Sequence, residues 1–357
     1  MAVADLSMSL GALSGARAAS PSVVRVVRIY FLIVFVLSLA AVVFAVEGRF
    51  PGGLFLYPPS VDWVPPLSSD AWLAAFSIHQ QDPVFAACGG ASSLEEFRTL
   101  YGWEWLRRGS VLLLGTASLI GLAGAGAWPR YRFALPRLLG LCLIGLALAL
   151  GRVLVGFAVA NVDDLARFNV GQYRHAVDLT FASLAVGAVL ASVVAPPLPA
   201  GAVRRLWPSG SAVLWVFVLL LDICFGALFL ARDAATAWTG WPGIADFPPL
   251  DRFASYDSVW LNLVFNPYAI QLVHRGLSAG LWLAALLYLA WTIKRNARDA
   301  GGAAALFGLL TAQMAIGVST LVVGTPPPAL SIAHRVGGVL LVAAALLLPR
   351  RLPLNGR

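Results

Sequence analysis

Two of the four histidines in this chain of 357 residues fall where hydrocarbon would surround them. His274 lies in Gln271-Leu-Val-His274-Arg275-Gly276 and His334 in Ser331-Ile-Ala-His334-Arg335, each near one end of a long apolar run. An ionisable side chain inside a bilayer is costly, so two at similar depth argue for a function. A neutral imidazole can ligate haem iron through a ring nitrogen. Helices that face each other in a bundle can offer one such ring to each side of a common group. The pair therefore reads as the grip on one haem. The plainer alternative is two buried histidines satisfied by a backbone carbonyl or a carboxylate.

The segments that must position these residues are apolar. Hydrophobic residues make up 59% of the chain and charged ones 12%, against roughly 25% charged in soluble domains. That composition excludes a soluble globule. The net charge of +8 does not indicate nucleic acid, because the arginines sit in short gaps between apolar runs. Eight such runs are predicted as spans, at 29–47, 104–127, 135–158, 174–195, 207–231, 265–292, 302–324 and 329–349. Each is close to the length needed to cross a hydrocarbon core about 30 Å thick. The first is predicted to remain as a helix, being too long for the apolar part of a cleaved signal. Cys142 and Cys224 fall within apolar runs as packing residues, and Cys88 stands alone in a loop.

Charge sets the expected orientation. Fourteen of the 25 basic residues fall in the tails and short connections on one side: Arg17, Arg25, Arg28, Arg130, Arg132, Arg137, Arg204, Arg205, Lys294, Arg295, Arg298, Arg350, Arg351 and Arg357. Positive charge marks the cytoplasmic side. The reading is an all-α integral membrane protein of eight transmembrane helices, arranged as two repeated four-helix bundles. Residues 1–28 form a cytoplasmic N-terminal tail, 29–200 a first half with a long outer loop at 48–103, and 201–357 a second half. Loops 48–103 and 232–264, rich in Trp, Pro and Asp, lie outside as a cover over something bound. His274 comes about ten residues into its span and His334 about five, so both sit in the outer leaflet at 1.5 Å of rise per residue.

The halves can be laid over one another. Glu104-Trp-Leu-Arg107-Arg108-Gly109 falls beneath Gln271-Leu-Val-His274-Arg275-Gly276, Arg152-x-x-x-Gly156 beneath Gln313-x-x-x-Gly317, and Asp178 beneath His334. Internal repeats are frequent in membrane proteins, with sites within or between them. A transporter built from such repeats is a minor alternative, because clear broken-helix signals are lacking.

Several motifs together point to a family. They are Pro65-Pro66-Leu67-Ser68-Ser69-Asp70-Ala71-Trp72, Ser93-Leu94-Glu95-Glu96-Phe97-Arg98, Glu104-Trp105, Phe225-Gly226-Ala227-Leu228, Thr239-Gly240-Trp241-Pro242, Gln271-Leu-Val-His274-Arg275, Gln313-x-x-x-Gly317 and the His334 segment. From about residue 30 onward the chain resembles the haem A synthase (cytochrome oxidase assembly) family. The resemblance implies eight helices in two halves, a multi-pass place in the bacterial inner membrane with both termini cytoplasmic, and oxidation of a haem O methyl group to the formyl group of haem A. It further implies a b-type haem on His274 and His334, with Arg275 and Arg335 near propionates. The substrate haem would lie in the first half beside Glu104, the expected catalytic carboxylate. Implied partners are membrane lipid, haem O synthase, other oxidase assembly proteins, a quinol-type electron donor and a second copy of the chain, with no nucleic acid.

The chain departs from the family where the chemistry should be. Arg107 and Asp178 stand at the two first-half positions where the family carries histidine ligands, and Gly48-Arg49-Phe50-Pro51-Gly52-Gly53 matches the family's Arg-rich loop poorly. A guanidinium has five donors and no acceptor, so it cannot ligate iron. Opposite charges at facing positions instead predict an Arg107–Asp178 ion pair in a vacated cavity, joined by Arg152. The alternative is an Arg152–Asp178 pair with Arg107 on a haem propionate. His175, one turn from Asp178, reads as an interfacial histidine or a displaced ligand, and His79 as a solvated loop residue. Two functions remain: haem A synthase proper, or a non-catalytic b-haem protein acting as electron relay or assembly factor.

Overall fold

The structure is a computed structural model. It describes residues 20–44, 62–81, 91–160, 164–194, 210–231, 234–240, 247–295, 300–323 and 328–348. The N-terminal tail to residue 19, the Arg49 segment, Cys88, Trp241-Pro242 and the side chains of Arg152 and His175 lie outside the described residues.

Among the described residues ten α-helices run in order: α1 Pro21–Phe44, α2 Ser69–Gln80, α3 Leu94–Ala127, α4 Leu135–Ala160, α5 Asp164–Val194, α6 Gly210–Ala231, α7 Val259–Phe265, α8 Pro267–Lys294, α9 Ala300–Val323 and α10 Pro328–Leu347. Eight of them are long and apolar enough to cross a membrane, all except α2 and α7. Their outward surfaces suit lipid. On α4, Leu143, Leu146, Leu150 and Leu154 are each more than half exposed, an apolar girdle that water would not tolerate. Cys142 shares this exposed surface rather than packing inside, whereas Cys224 is half-buried.

The helices close into two rings. In the first, α1 packs on α3 and α5, α4 packs on α5, and α3 meets α4 more lightly. In the second, α6 packs on α8, α8 on α9, α9 on α10, and α10 back on α6. Helix α5 is the joint, lying against both α6 and α10. The approach there is close. A Cβ on Gly187 of α5 would meet Val342 Cγ1 at 2.7 Å and the Ala343 nitrogen at 3.2 Å.

Both loop-bearing ends are more ordered than an open loop. Helix α3 starts at Leu94, ten residues before the expected start of its span, and spans 34 residues. At 1.5 Å per residue it is roughly 50 Å long and must project beyond the hydrocarbon. Hydropathy reports only its apolar part. Its start is capped from both sides: Ser93 Oγ accepts from the Glu96 amide at 3.2 Å, and the Glu96 carboxylate turns back to accept from Ser92 Oγ at 2.6 Å. Helix α2, inside the expected loop 48–103, packs on the projecting turns. Trp72 lies 5.1 Å from Tyr101 and Phe76 5.4 Å from Phe97, ring centre to ring centre. His79 belongs to this aromatic cluster. It is 6% exposed, with its ring 5.2 Å from Phe97, so the expectation of a solvated loop residue is wrong. An imidazole on the apolar side of an amphipathic helix packs like a small aromatic ring.

In the second half, short 3₁₀ turns and α7 lead into α8. Asn266 caps α8, accepting from the amides of Tyr268 at 2.9 Å and Ala269 at 3.4 Å, with Pro267 in the first turn. The Asn266 amide donates to the Arg252 carbonyl at 2.8 Å, and Asn262 donates to the Tyr256 carbonyl at 2.6 Å. These buried asparagines fix the covering segment to the helix that carries His274.

Candidate functional site

His274 is seven residues beyond the start of α8 and His334 six beyond the start of α10, both measured from the loop face. At 1.5 Å of rise per residue, each ring lies roughly 10 Å down its helix. Both histidines lie on helices of the second ring. Each also faces a glycine on a neighbouring helix. A Cβ on Gly226 of α6 would approach His274 Cε1 to 3.0 Å, and one on Gly317 of α9 would approach His334 Cε1 to 2.9 Å. Only glycine leaves the imidazoles room to sit this deep in the bundle.

The second nitrogen of each ring is treated differently. His274 Nδ1 lies 2.9 Å from Asp222 Oδ1 and 3.1 Å from the Asp222 carbonyl oxygen. Ser278 Oγ holds the same carboxylate, 3.1 Å from each oxygen. His334 Nδ1 is buried and has no hydrogen-bond partner. Gln313 instead donates to the His334 backbone carbonyl at 2.7 Å, its side-chain oxygen resting where a Cβ on Gly337 would be. Asp222 is absent from the reading of the sequence above. Its signal was the one used for the histidines: a lone ionisable residue in an apolar run, here Leu219-Leu-Leu-Asp222-Ile223.

The covering segment is stapled to the same helix. Gln271 Nε2 and Arg275 Nη2 both donate to the Trp238 carbonyl, at 2.6 Å and 2.9 Å, and Arg275 Nη1 donates to the Gly240 carbonyl at 3.0 Å. The Arg275 guanidinium also lies 4.1 Å over the Trp238 ring. Arg335 is half-buried, one residue along from His334.

In the first half, Glu104, Arg107 and Arg108 come together on α3. Glu104 is 6% exposed. Arg107 grips both its oxygens, Nε to Oε2 at 2.7 Å and Nη2 to Oε1 at 2.6 Å, and Arg108 Nε adds a bond to Oε1 at 2.7 Å. The expected Arg107–Asp178 pair is therefore replaced. The direct partner of Arg107 is Glu104, and Asp178 acts on it only through space. Neighbours at i,i+3 and i,i+4 reach one another along a single helix, with no need to span the bundle.

The residues present fit a haem in the second half and not, by histidine, in the first. With its Nδ1 proton committed to Asp222, His274 keeps the Nε2 lone pair for a metal. Among the described residues no three His, Cys, Asp or Glu side chains gather into a metal-ion cluster. A haem iron asks the protein only for axial ligands, since the porphyrin nitrogens supply the rest.

Comparison with known proteins agrees in scale with this architecture. The cytochrome oxidase assembly protein family matches residues 57–346. A haem A synthase of Rhodospirillum centenum is 31% identical over 96% of this chain and 91% of its own length. One of Methylobacterium sp. is 34% identical over 92% of each. This chain belongs to the haem A synthase, or cytochrome oxidase assembly, family. It is thus a multi-pass membrane protein of a bacterial haem-biosynthetic family. No solved structure matches it. Within the family's frame, His274 and His334 lie on two helices of the second ring, and Glu104 meets Arg107 and Arg108.

Proposed function

We propose that the chain serves haem A biosynthesis and cytochrome oxidase assembly as a haem A synthase-like protein of the bacterial inner membrane, both termini cytoplasmic, with a b-type haem between His274 and His334. The observation that carries this reading is the matched cradle: two imidazoles at one depth, each facing a glycine that a single methyl would fill. A haem there supplies one-electron transfer when bound. The chain's own part is to present both rings, to fix the tautomer of one through Asp222, and to shield them by tying Trp238 down with Gln271 and Arg275. The family reaction, oxidation of the haem O methyl group to a formyl group, falls to the first half. Haem O would lie there beside Glu104, with Arg107 and Arg108 near its propionates and no histidine on its iron. Haem O synthase, other oxidase assembly proteins and a quinol-type electron donor are the partners this role calls for.

A second reading is favoured by one observation. Guanidinium groups take three of about four acceptor sites on the Glu104 carboxylate, which holds it as an ion-pair partner rather than as a base turned toward a substrate methyl. On that reading the chain is a non-catalytic b-haem protein, an electron relay or assembly factor. Purification from cells that also make haem O, followed by extraction and identification of the bound haems, separates the two. Haem A or a hydroxylated intermediate beside haem B supports the synthase. Haem B alone refutes it and leaves the relay, and a chain that carries no haem refutes both.

A further inference from the structure

The two candidate haem ligands differ in what stands behind them, and the difference carries an inference that rests on the b-haem reading above. Behind His274 is a carboxylate built into place. Asp222 reaches Nδ1 at 2.9 Å, its backbone carbonyl lies 3.1 Å from the same atom, and Ser278 Oγ is 3.1 Å from each carboxylate oxygen. Ser278 is one turn along α8 from His274, so a single helix presents the ligand and anchors the group that orients it. Behind His334 the described residues place no such group, and none of them bonds its Nδ1.

A carboxylate within a membrane-spanning helix is costly and is retained where it has a task. Satisfaction of His274 alone does not require one, since the Asp222 carbonyl already lies within hydrogen-bond distance of Nδ1. What the carboxylate adds is negative charge on the imidazole. Accepting the Nδ1 proton strengthens Nε2 as an electron donor, and a stronger donor favours the ferric over the ferrous state of a bound haem.

We propose that Asp222 is a positioning residue that lowers the reduction potential of the second-half haem through His274, making the two axial ligands electronically unequal. Ser278 holds Asp222 in the geometry that does so. The carboxylate acts on one ligand only, so the asymmetry is a property of this chain's sixth and eighth helices rather than of paired histidines in general.

The test is a redox titration of the purified, haem-loaded full chain, followed by its optical bands, with low-spin electron paramagnetic resonance on the oxidised form. Asp222→Asn keeps an acceptor of the same shape and removes the charge. Its midpoint potential is expected to move positive and its resonance positions to shift, at unchanged haem content. Ser278→Ala is expected to move both in the same direction by less, and Asp222→Glu to restore most of the wild-type potential. If Asp222→Asn loses haem altogether, Ser278→Ala alone decides the matter. Unshifted potentials in a variant with full haem content overturn the inference and leave the haem site standing. A wild-type chain without haem overturns the site and the inference together.

Discussion

Each half of the molecule places a carboxylate next to a basic side chain inside a ring of four helices, and the two arrangements do opposite things. In the second half, Asp222 reaches across from α6 to α8 and sets the orientation of an imidazole, leaving a ring nitrogen free to bind. In the first half, Glu104 is closed off by two arginines of its own helix, three and four residues away. One carboxylate orients an imidazole. The other neutralises charge where a ligand might have been. The comparison teaches that a similar cyclic packing of helices can hold either a carboxylate–imidazole pair between two helices or an ion cluster along one, and that the choice is made by a few side chains.

The sharpest way to break the contrast is to remove a proposed haem ligand from the second half. His274→Ala or His334→Ala should lower haem content from one per chain to none, read from the haem spectrum of the purified protein. A single surviving equivalent in both variants would place the haem elsewhere. Adding ligands to the other half sharpens it next. Arg107→His with Asp178→His should raise haem content toward two per chain, Arg108 remaining to pair with Glu104; content fixed at one means that side chains have filled the space.

Smaller effects follow. Glu104→Gln leaves two guanidiniums without their partner and should destabilise the chain by about 3 kcal/mol. That is the low end for breaking a buried pair, because Arg107 and Arg108 keep 33% and 44% of their side-chain surface. Thermal unfolding in detergent measures it, and an unchanged midpoint would show the cluster to be ornamental. Gly226→Ala forces the His274 ring to shift and should weaken haem retention roughly tenfold, within the usual range for disturbing a ligand's support, with little change in unfolding temperature. Dialysis against a haem acceptor reads that loss.

Much of this was legible beforehand, and the misses have physical causes. The eight spans and their order follow from hydropathy. Helix α3 was cut short because its first ten residues, Leu94 to Trp103, carry charge and project beyond the apolar layer. His79 reads as loop because Gln80, Gln81 and Asp82 follow it, yet it closes a helix whose inner side is aromatic. The Arg107 partner was sought across the bundle when the nearest carboxylate was one turn away along the chain. Asp222 is covered by the same rule as the histidines, a lone ionisable residue in an apolar run, but its partner His274 lies 52 residues away and only the fold joins them.

Gly187 bears on how the molecule stays in one piece. Two apolar bundles in a lipid solvent gain nothing from hiding apolar surface from each other, so closeness of fit must supply the cohesion. At the seam, α5 approaches α10 so nearly that one added methyl would strike Val342. The halves therefore adhere as interlocking shapes, and bulk at this one position acts as a wedge: Gly187→Leu should loosen the seam while leaving each ring of helices intact.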